Sequence, residues 1–179
     1  MQDETTINKT ASEVLDFLQD KSIAYHLIEH PPALTMNDLA AVDQELGADH
    51  PKNLFLCNRQ KTVFYLLLMP ADKLFKTASV SKQLQVARLS FAGSEHLERL
   101  LQTTPGAISP LGLVFDRQHV VQLLVDRSLR DCQNMVFHPC INTASLVVSG
   151  RDFFEVFLPA TGHQPVWINI EARSGEAEA

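Results

Sequence analysis

The sequence is poor in cysteine and has no long apolar run. Its 179 residues include three cysteines, Cys57, Cys132 and Cys140, and no Cys-x-x-Cys pair. Such a sparse, odd set argues against a disulfide framework and against a zinc knuckle. No apolar run approaches the roughly 20 residues that span a bilayer, and the acidic, polar N-terminus is unlike a signal peptide. The composition therefore predicts a reduced, cytoplasmic protein without a membrane partner.

Motifs of several common enzyme classes are also absent. The chain contains no GxSxG elbow, no GxxxxGK-S/T loop, no HExxH pair and no GxGxxG turn. These motifs are typical of hydrolases with a serine nucleophile, P-loop enzymes, zinc proteases and dinucleotide-binding domains. The seven histidines are scattered without the spacing of metal ligands. We therefore expect neither a metal nor a cofactor.

The charge is distributed unevenly along the chain. The net charge of −6 argues against a nucleic-acid partner, and we do not expect the protein to bind DNA. However, residues 1–50 carry −8, residues 51–90 carry +6 and residues 91–179 carry −4. The basic segment is either a phosphate-binding face or a solvated surface that pairs with the acidic N-terminal third. Charge alone leaves both interpretations open.

Hydrophobic patterning predicts strands, helices and one domain over residues 1–179, with a frayed tail over 171–179. The runs 53–57 and 62–69 are joined by a short polar link and predict a hairpin, whose second strand is buried on both faces. A similar pattern predicts a second hairpin over 111–125. The fold class is therefore α/β of the α+β kind, with a mixed, mostly antiparallel central sheet flanked by helices.

Helix boundaries are predicted from capping residues. Thr10 and Glu13 have the spacing of a capping box before the apolar positions Val14 and Leu18. Ser149 with Asp152 predicts the start of a last helix, which Gly162 ends.

Polar residues between two predicted buried strands are the strongest functional signal. Strands over 135–138 and 143–148 flank His138-Pro139 and Asn142-Thr143, and buried polar groups are costly unless they are satisfied or used. Cys140 is a nucleophile in principle, although a small core cysteine is the more common role. Lys52 precedes the first hairpin, and Gly106 lies in a loop rich in glycine and proline, where backbone N–H groups can face a ligand.

Three stretches together resemble the YbaK/ProX family of aminoacyl-tRNA editing deacylases. They are Lys52-Asn53-Leu54-Phe55-Leu56, the Gly106-xxx-Pro110 loop, and Phe137-His-Pro-xx-Asn-Thr-Ala144. These deacylases are related to the insertion domain of bacterial prolyl-tRNA synthetase, and the similarity extends from about His30 to His163. Within the family, the chain is most similar to the free-standing ProX branch, which removes alanine mischarged onto tRNA-Pro.

The resemblance implies a YbaK/ProX-like fold, a small aminoacyl pocket and hydrolysis of the ester that joins an amino acid to tRNA. It implies a partner, the acceptor end of a mischarged tRNA, and a possible second one, prolyl-tRNA synthetase. The residues that it assigns to catalysis are Lys52, Gly106 and His138. Those that it assigns to substrate binding are Asn53, Ile108, Pro110, Asn142 and Thr143. His138 then forms one wall of the pocket and is not the general base.

The chemistry of the ester agrees with the absence of a catalytic triad. An aminoacyl ester is activated, so hydrolysis requires a positioned water and a stabilised oxyanion more than a covalent nucleophile. Two alternatives remain: the amino acid removed is cysteine or serine, or the chain is a non-catalytic tRNA-binding module. The second alternative rests on two departures from the family pattern, Pro51 where threonine often stands and Cys140-Ile141 in place of a commonly polar pair.

Overall fold

The protein is represented by a computed structural model that describes residues 4–32, 39–48 and 50–173. Residues 174–179 of the predicted tail lie outside the described residues. Glu171, the first residue of that tail, accepts a hydrogen bond from the Lys76 ammonium at 3.0 Å and one from the Leu74 N–H at 3.2 Å. The predicted tail therefore contacts the body of the protein at its first residue.

The described residues form eight strands and several helices. The strands are β1 Tyr25–Glu29, β2 Lys52–Cys57, β3 Phe64–Met69, β4 Ser90–Phe91, β5 Val121–Asp126, β6 Asn134–Phe137, β7 Ala144–Ser149 and β8 Pro165–Ile168. The α-helices are α1 Glu4–Asp20, α2 Ala40–Leu46, α3 Thr77–Leu84, α4 Ser94–Leu101, α5 Gly150–Asp152 and α6 Leu158–Thr161. A π-helical turn, Phe153–Phe157, joins the last two helices, and 3-10 turns form at Pro105–Ala107, Pro110–Val114 and Arg127–Leu129.

The predicted fold class is confirmed, and the strands divide between two sheets. One sheet has the order β1-β7-β6 and is antiparallel throughout. The other has the order β4-β2-β3-β5-β8, in which β2 pairs antiparallel with β3 and β4, whereas β3-β5 and β5-β8 are parallel. Because β3 and β5 are parallel, their carboxyl ends meet at one edge of the five-stranded sheet.

The five-stranded sheet is covered on both faces. Every residue of β3 is buried, as its continuous apolar run predicts. One face packs in a core shared with the three-stranded sheet, α1 and α4, while α3 covers the other face through Val80 and Leu84.

Two local predictions are wrong. The segment 111–125 is not a hairpin: Pro110–Val114 is a 3-10 turn, and β5 pairs with β3 instead. The Ser109 hydroxyl accepts a hydrogen bond from the Leu111 N–H at the start of this turn. Within the turn, Gly112 lies so close to Leu101 that a Cβ would be 2.9 Å from its carbonyl oxygen. Thr10 and Glu13 lie inside α1, which begins at Glu4, so they do not cap it.

Other boundaries agree with the prediction. The β2–β3 hairpin and the antiparallel pair β6–β7 are both present. The Ser149 hydroxyl accepts a hydrogen bond from the Asp152 N–H at the start of α5, and Gly162 ends α6 with a φ of 77°. Among the described residues, none of the helices combines the length and the apolar character needed to cross a bilayer.

Candidate active site

The loop around Gly106 meets the turn after His138. A Cβ built on Gly106 would lie 3.7 Å from Asn142 Nδ2, which is an ordinary contact. The Thr103 hydroxyl donates to the Ala107 carbonyl oxygen at 2.7 Å and lies 3.2 Å from the Cys140 carbonyl oxygen. Two of the three sequence stretches are thus adjacent, and Thr103, which the sequence did not indicate, ties them together.

His138 is buried at the end of β6 with one ring nitrogen committed to the backbone. Its Nδ1–H donates to the Ala144 carbonyl oxygen at 2.8 Å. Burial lowers the pKa of His138 to about 4, with smaller contributions from His50 and His30 that also lower it. The imidazole is therefore neutral near pH 7 and a weak base. This environment suits a pocket wall and not a proton acceptor.

His50 lies two residues before Lys52 and contacts His138. The rings of His50 and His138 are in edge-to-face contact, with centroids 5.2 Å apart. His30 lies on another side, with its ring centroid 6.0 Å from that of His138. The segment just before the Lys52 stretch therefore contacts the third stretch, and the histidine cluster His30, His50 and His138 lies at this junction.

The cluster extends into the three-stranded sheet through Ser145. The His30 Nδ1–H donates to the Pro31 carbonyl oxygen at 2.8 Å, so its Nε2 is free to accept from the Ser145 hydroxyl at 2.9 Å. That hydroxyl also lies 3.4 Å from His138 Nδ1. Ser145 is fully buried, so it supports the cluster and is not accessible as a nucleophile.

Lys52 and Asn53 begin β2 and are both half-buried. Among the described residues, the lysines that form ion pairs are Lys21, Lys73 and Lys76, and Lys52 is not one of them. The Asn53 side-chain nitrogen donates to the Pro51 carbonyl oxygen at 3.3 Å, whereas its Oδ1 is buried without a partner in the described part of the chain. An ammonium without a counter-ion among the described residues and a buried acceptor without a described partner are both groups that a polar ligand can satisfy.

The remaining predicted residues have mixed environments. Pro110 is buried in the 3-10 turn, and Ile108 is half-buried against the core. The Thr143 carbonyl oxygen accepts from the His30 N–H at 2.9 Å. Cys140 is 4% exposed, and burial raises the pKa of its thiol to about 12, which argues against a nucleophilic thiolate.

A cleft of about 820 Å³ lies beside this junction. It is formed where β3 and β5 end, the edge at which open sheets with parallel strands bind their ligands. Its lining includes Asp43, His50, Pro51, Lys73 and Ser128. Gly106 and His138 are not part of that lining, so His50 is the residue that joins the cleft to the cluster.

Within the described ranges, no group of three or more histidine, cysteine or carboxylate side chains is arranged to hold a metal ion. The polar groups that the described site offers are imidazoles, an ammonium, an amide and the backbone N–H groups near Gly106.

Comparison with known proteins identifies the family. Residues 30–156 match the family model described as the aminoacyl-tRNA editing domain. The chain belongs to the aminoacyl-tRNA editing domain family. A prolyl-tRNA editing protein, ProX of Acetoanaerobium sticklandii, is 31% identical over 150 residues, which cover 84% of this chain and 91% of that protein. The match confirms the family that the three stretches predicted.

Two further proteins that are similar to this chain have descriptions that mention prolyl-tRNA synthetase. The prolyl-tRNA synthetase associated domain-containing protein 1 of Xenopus laevis is 30% identical over 163 residues, 89% of this editing-domain chain and 96% of that protein. A solved structure described as a candidate trans-editing enzyme for prolyl-tRNA synthetase has a TM-score of 0.68 at 17% identity, covering 91% of this chain and 97% of that one. At that identity the structural likeness concerns the fold alone.

Proposed function

We propose that this editing-domain protein is a trans-editing deacylase that hydrolyses the ester of alanine mischarged onto tRNA-Pro. The observation that carries the proposal is that the Gly106 loop lies against Asn142 and that His50, two residues before Lys52, contacts His138. Lys52 forms no ion pair with a described residue. The relative named as a prolyl-tRNA editing protein supports the choice of tRNA.

In the proposed roles, Lys52 holds the terminal nucleotide through its phosphate. The backbone N–H groups near Gly106 stabilise the oxyanion, and Asn142 lies against that loop. The proposed wall of the aminoacyl pocket is formed by His138 with Asn142 and Thr143, while Asn53, Ile108 and Pro110 complete the binding surface. The unpartnered Asn53 oxygen would accept a hydrogen bond from the substrate.

Size explains the proposed selectivity. A synthetase pocket cannot strongly reject a smaller amino acid, because one methylene is worth only about 1–3 kcal/mol. A second, smaller pocket can hydrolyse the error, since alanine enters it and proline does not. The proposal treats residues 1–179 as one cytoplasmic editing domain that contacts the acceptor end of tRNA and, in the cell, prolyl-tRNA synthetase.

A panel of charged tRNAs tests the substrate. Purified protein is incubated with tRNA-Pro carrying alanine or proline and with tRNAs carrying cysteine or serine, and the remaining ester is measured with time. We expect loss of alanine only. Faster loss of cysteine or serine would favour the alternative substrate, and binding without any hydrolysis would favour a non-catalytic module. The buried position of Cys140 argues against that module, because this departure from the family pattern changes the core and not an exposed polar lining.

Lys52→Ala tests the proposed contact with the nucleotide. We expect deacylation to fall to background with an unchanged circular dichroism spectrum, because a half-buried lysine without a described ion pair contributes little stability. Lys9→Ala, an exposed lysine in α1, is the matched control and should remain active. A collapse of the spectrum in Lys52→Ala would make Lys52 structural.

A further inference from the structure

The Asp43–His50 pair is a polar feature that the three sequence stretches do not include. His50 lies just before β2, and its Nδ1 is 3.0 Å from Asp43 Oδ1 on α2. The His50 side chain is 4% exposed and that of Asp43 is 24% exposed. Because a carboxylate oxygen can only accept, the Nδ1 of a neutral His50 carries the proton and donates it to Asp43. The pair thereby fixes both the tautomer and the orientation of the imidazole.

The second nitrogen of His50 is therefore a lone-pair acceptor. No hydrogen bond of His50 Nε2 is found with any residue of the described part of the chain, and His50 lines the cleft at the carboxyl ends of β3 and β5. A carboxylate that orients an imidazole, with the opposite nitrogen left for a reacting group, is the arrangement of a general base. The cleft lies against His50, whose side chain is 4% exposed.

Other candidate bases fit less well. His138 Nδ1 is committed to the Ala144 carbonyl oxygen, and the pKa of about 4 makes this imidazole a weak base. The His30 Nε2 is taken by the Ser145 hydroxyl at 2.9 Å. Asp126 also adjoins the cleft through Lys73 and Ser128, but its carboxylate is held by the Lys73 ammonium, Ser128 and the Ile170 N–H, and its lowered pKa makes it a weak base.

We propose that His50 is the general base of the deacylation and that Asp43 is the residue that positions it. This inference rests on the proposed function and names the water-activating group of that same site. His50 Nε2 takes a proton from a water molecule, and the water oxygen forms a bond to the ester carbonyl carbon. The tetrahedral intermediate then expels the ribose oxygen as its carbon–oxygen bond breaks. The proton on Nε2 passes to that oxygen, so the products are the free amino acid and the tRNA hydroxyl.

Charged and titratable groups from three other segments face His50. They are Asp43 of α2, His138 after β6 and His30 after β1, and Lys52 begins the strand that follows. Asp72, Lys73 and Asp131 line the same cleft as His50. Burial lowers the pKa of His50, whereas the Asp43 carboxylate raises it and His30 lowers it further. His50 is consequently unprotonated near neutral pH, which is the form that a base requires, and Asp43 sustains its basicity.

The decisive variant is His50→Asn, because asparagine can keep a donor near Asp43 but lacks the second nitrogen. In single-turnover assays with a tRNA-Pro carrying alanine, we expect the rate to fall about 10²–10⁴-fold while tRNA binding is unchanged. His26→Asn is the matched control: His26 is an exposed histidine on β1 and its variant should retain the wild-type rate. In a His50→Ala variant, added imidazole should restore part of the activity, which a merely structural role would not allow.

Asp43→Asn tests the positioning role. A carboxylate that orients a catalytic histidine is worth up to about 10⁴-fold in rate, and we expect a loss of at least about 10-fold here. The acid limb of the rate profile should also move to lower pH, because loss of the Asp43 charge lowers the pKa of His50 further. An unmoved acid limb would overturn the positioning role.

The possible failures are distinguishable. A wild-type protein that releases no amino acid from any charged tRNA would overturn the proposed function. An active wild type together with a folded His50→Asn variant of equal rate would overturn only the role of His50. Failure of imidazole to raise the rate of His50→Ala, with the fold intact by circular dichroism, would also overturn it.

Discussion

Two buried aspartate–histidine pairs in this protein have the same distance and different surroundings. Asp43 and His50 are 3.0 Å apart at the cleft, and Asp116 and His163 are 3.0 Å apart between the start of β5 and the end of α6. The side chains of Asp116 and His163 are 1% and 3% exposed, whereas Asp43 is 24% exposed. One pair is closed to solvent and the other is open to a cleft.

The pairs also differ in how many of their polar atoms form hydrogen bonds. Asp116 accepts from the N–H groups of Val120 and Val121 at 3.0 and 2.8 Å as well as from His163, whose Nδ1 lies 3.1 Å from the Thr161 hydroxyl. His50 keeps one nitrogen without a partner among the described residues. A fully satisfied buried pair holds two segments together, while a partly satisfied pair beside a cleft is available for chemistry.

The largest expected effect concerns stability. Asp116→Ala removes three accepted hydrogen bonds and leaves His163 unpaired in the core, so we expect a loss of about 3–5 kcal/mol in the free energy of unfolding. Asp43→Ala, at the partly exposed pair, should cost only about 1 kcal/mol. Urea unfolding of both variants checks this, and equal losses would remove the distinction between the closed and the open pair.

We expect protonation of His138 to lower the free energy of unfolding at mildly acidic pH. The pKa of His138 falls from 6.5 to about 4 on folding, so the unfolded chain binds that proton first as the pH decreases. The free energy of unfolding should therefore fall between pH 6.5 and pH 4, by up to about 3 kcal/mol from this residue. His138→Asn keeps a donor for the Ala144 carbonyl oxygen and should flatten the slope, which urea titrations at several pH values would reveal.

The Asp116–His163 pair should affect the free energy of unfolding in a different pH range. Burial raises the pKa of Asp116, but hydrogen bonds from His163, Val121 and Val120 outweigh it and hold the pKa below its ordinary value of 3.8. A carboxylate of this kind contributes its full stability above that ordinary value and loses it as the pH falls further. Asp116→Asn should consequently change the slope below about pH 3.8 and leave the slope above it intact. If His138→Asn and Asp116→Asn changed the pH dependence of unfolding over the same pH range, that result would contradict this distinction.

Thr103 should have a smaller effect that links stability to activity. Thr103→Val removes the hydroxyl that ties the Gly106 loop to Cys140, and we expect a loss of about 1–2 kcal/mol in unfolding free energy. Loosening the Gly106 loop, the proposed oxyanion site, should also lower the rate of deacylation without changing tRNA binding. Thr103→Ser, which keeps the hydroxyl, should restore both quantities. A serine variant as impaired as the valine variant would show that the methyl group matters instead.

The smallest effect is expected for Cys140→Ala. The thiol is buried and its pKa is raised to about 12, so it takes no part in the proposed chemistry. We expect a deacylation rate close to that of the wild type, measured per folded molecule. A loss comparable to that of Lys52→Ala would place the thiol in the mechanism and contradict its assignment to the core.

Local pattern predicted the parts of the fold in which neighbours in sequence are neighbours in space. The polar link after Cys57 predicted the β2–β3 hairpin, and Ser149 with Gly162 predicted both ends of the last helical segment. The pairing of β5 with β3 could not be predicted, because parallel strands are joined by a long crossover without a turn signal. The apolar run before Asp116 resembled a strand, whereas it forms a 3-10 turn in which Gly112 packs against Leu101, a tertiary contact that local pattern does not reveal.

The residues of the site also divide into those that the sequence indicated and those that only tertiary contacts reveal. Lys52, Gly106 and His138 were identified by resemblance to a family, and their roles remain part of the proposal. His50 and His30 had no distinguishing signal in the sequence, because a scattered histidine is usually structural. Their significance arises from tertiary contacts, Asp43 with His50 and Ser145 with His30 across 115 residues. The position of His50 two residues before Lys52 is the one sequence feature that could have drawn attention to it.

The central claim is that this editing domain releases alanine, and not proline, from tRNA-Pro. The most direct test compares the rates of ester loss from alanyl-tRNA-Pro and prolyl-tRNA-Pro with the same protein preparation, each corrected for spontaneous hydrolysis. We expect alanine to be released at least about 10-fold faster than proline, as a pocket that excludes the larger side chain requires. Equal rates for both amino acids, or no release of alanine above the spontaneous rate, would contradict the claim.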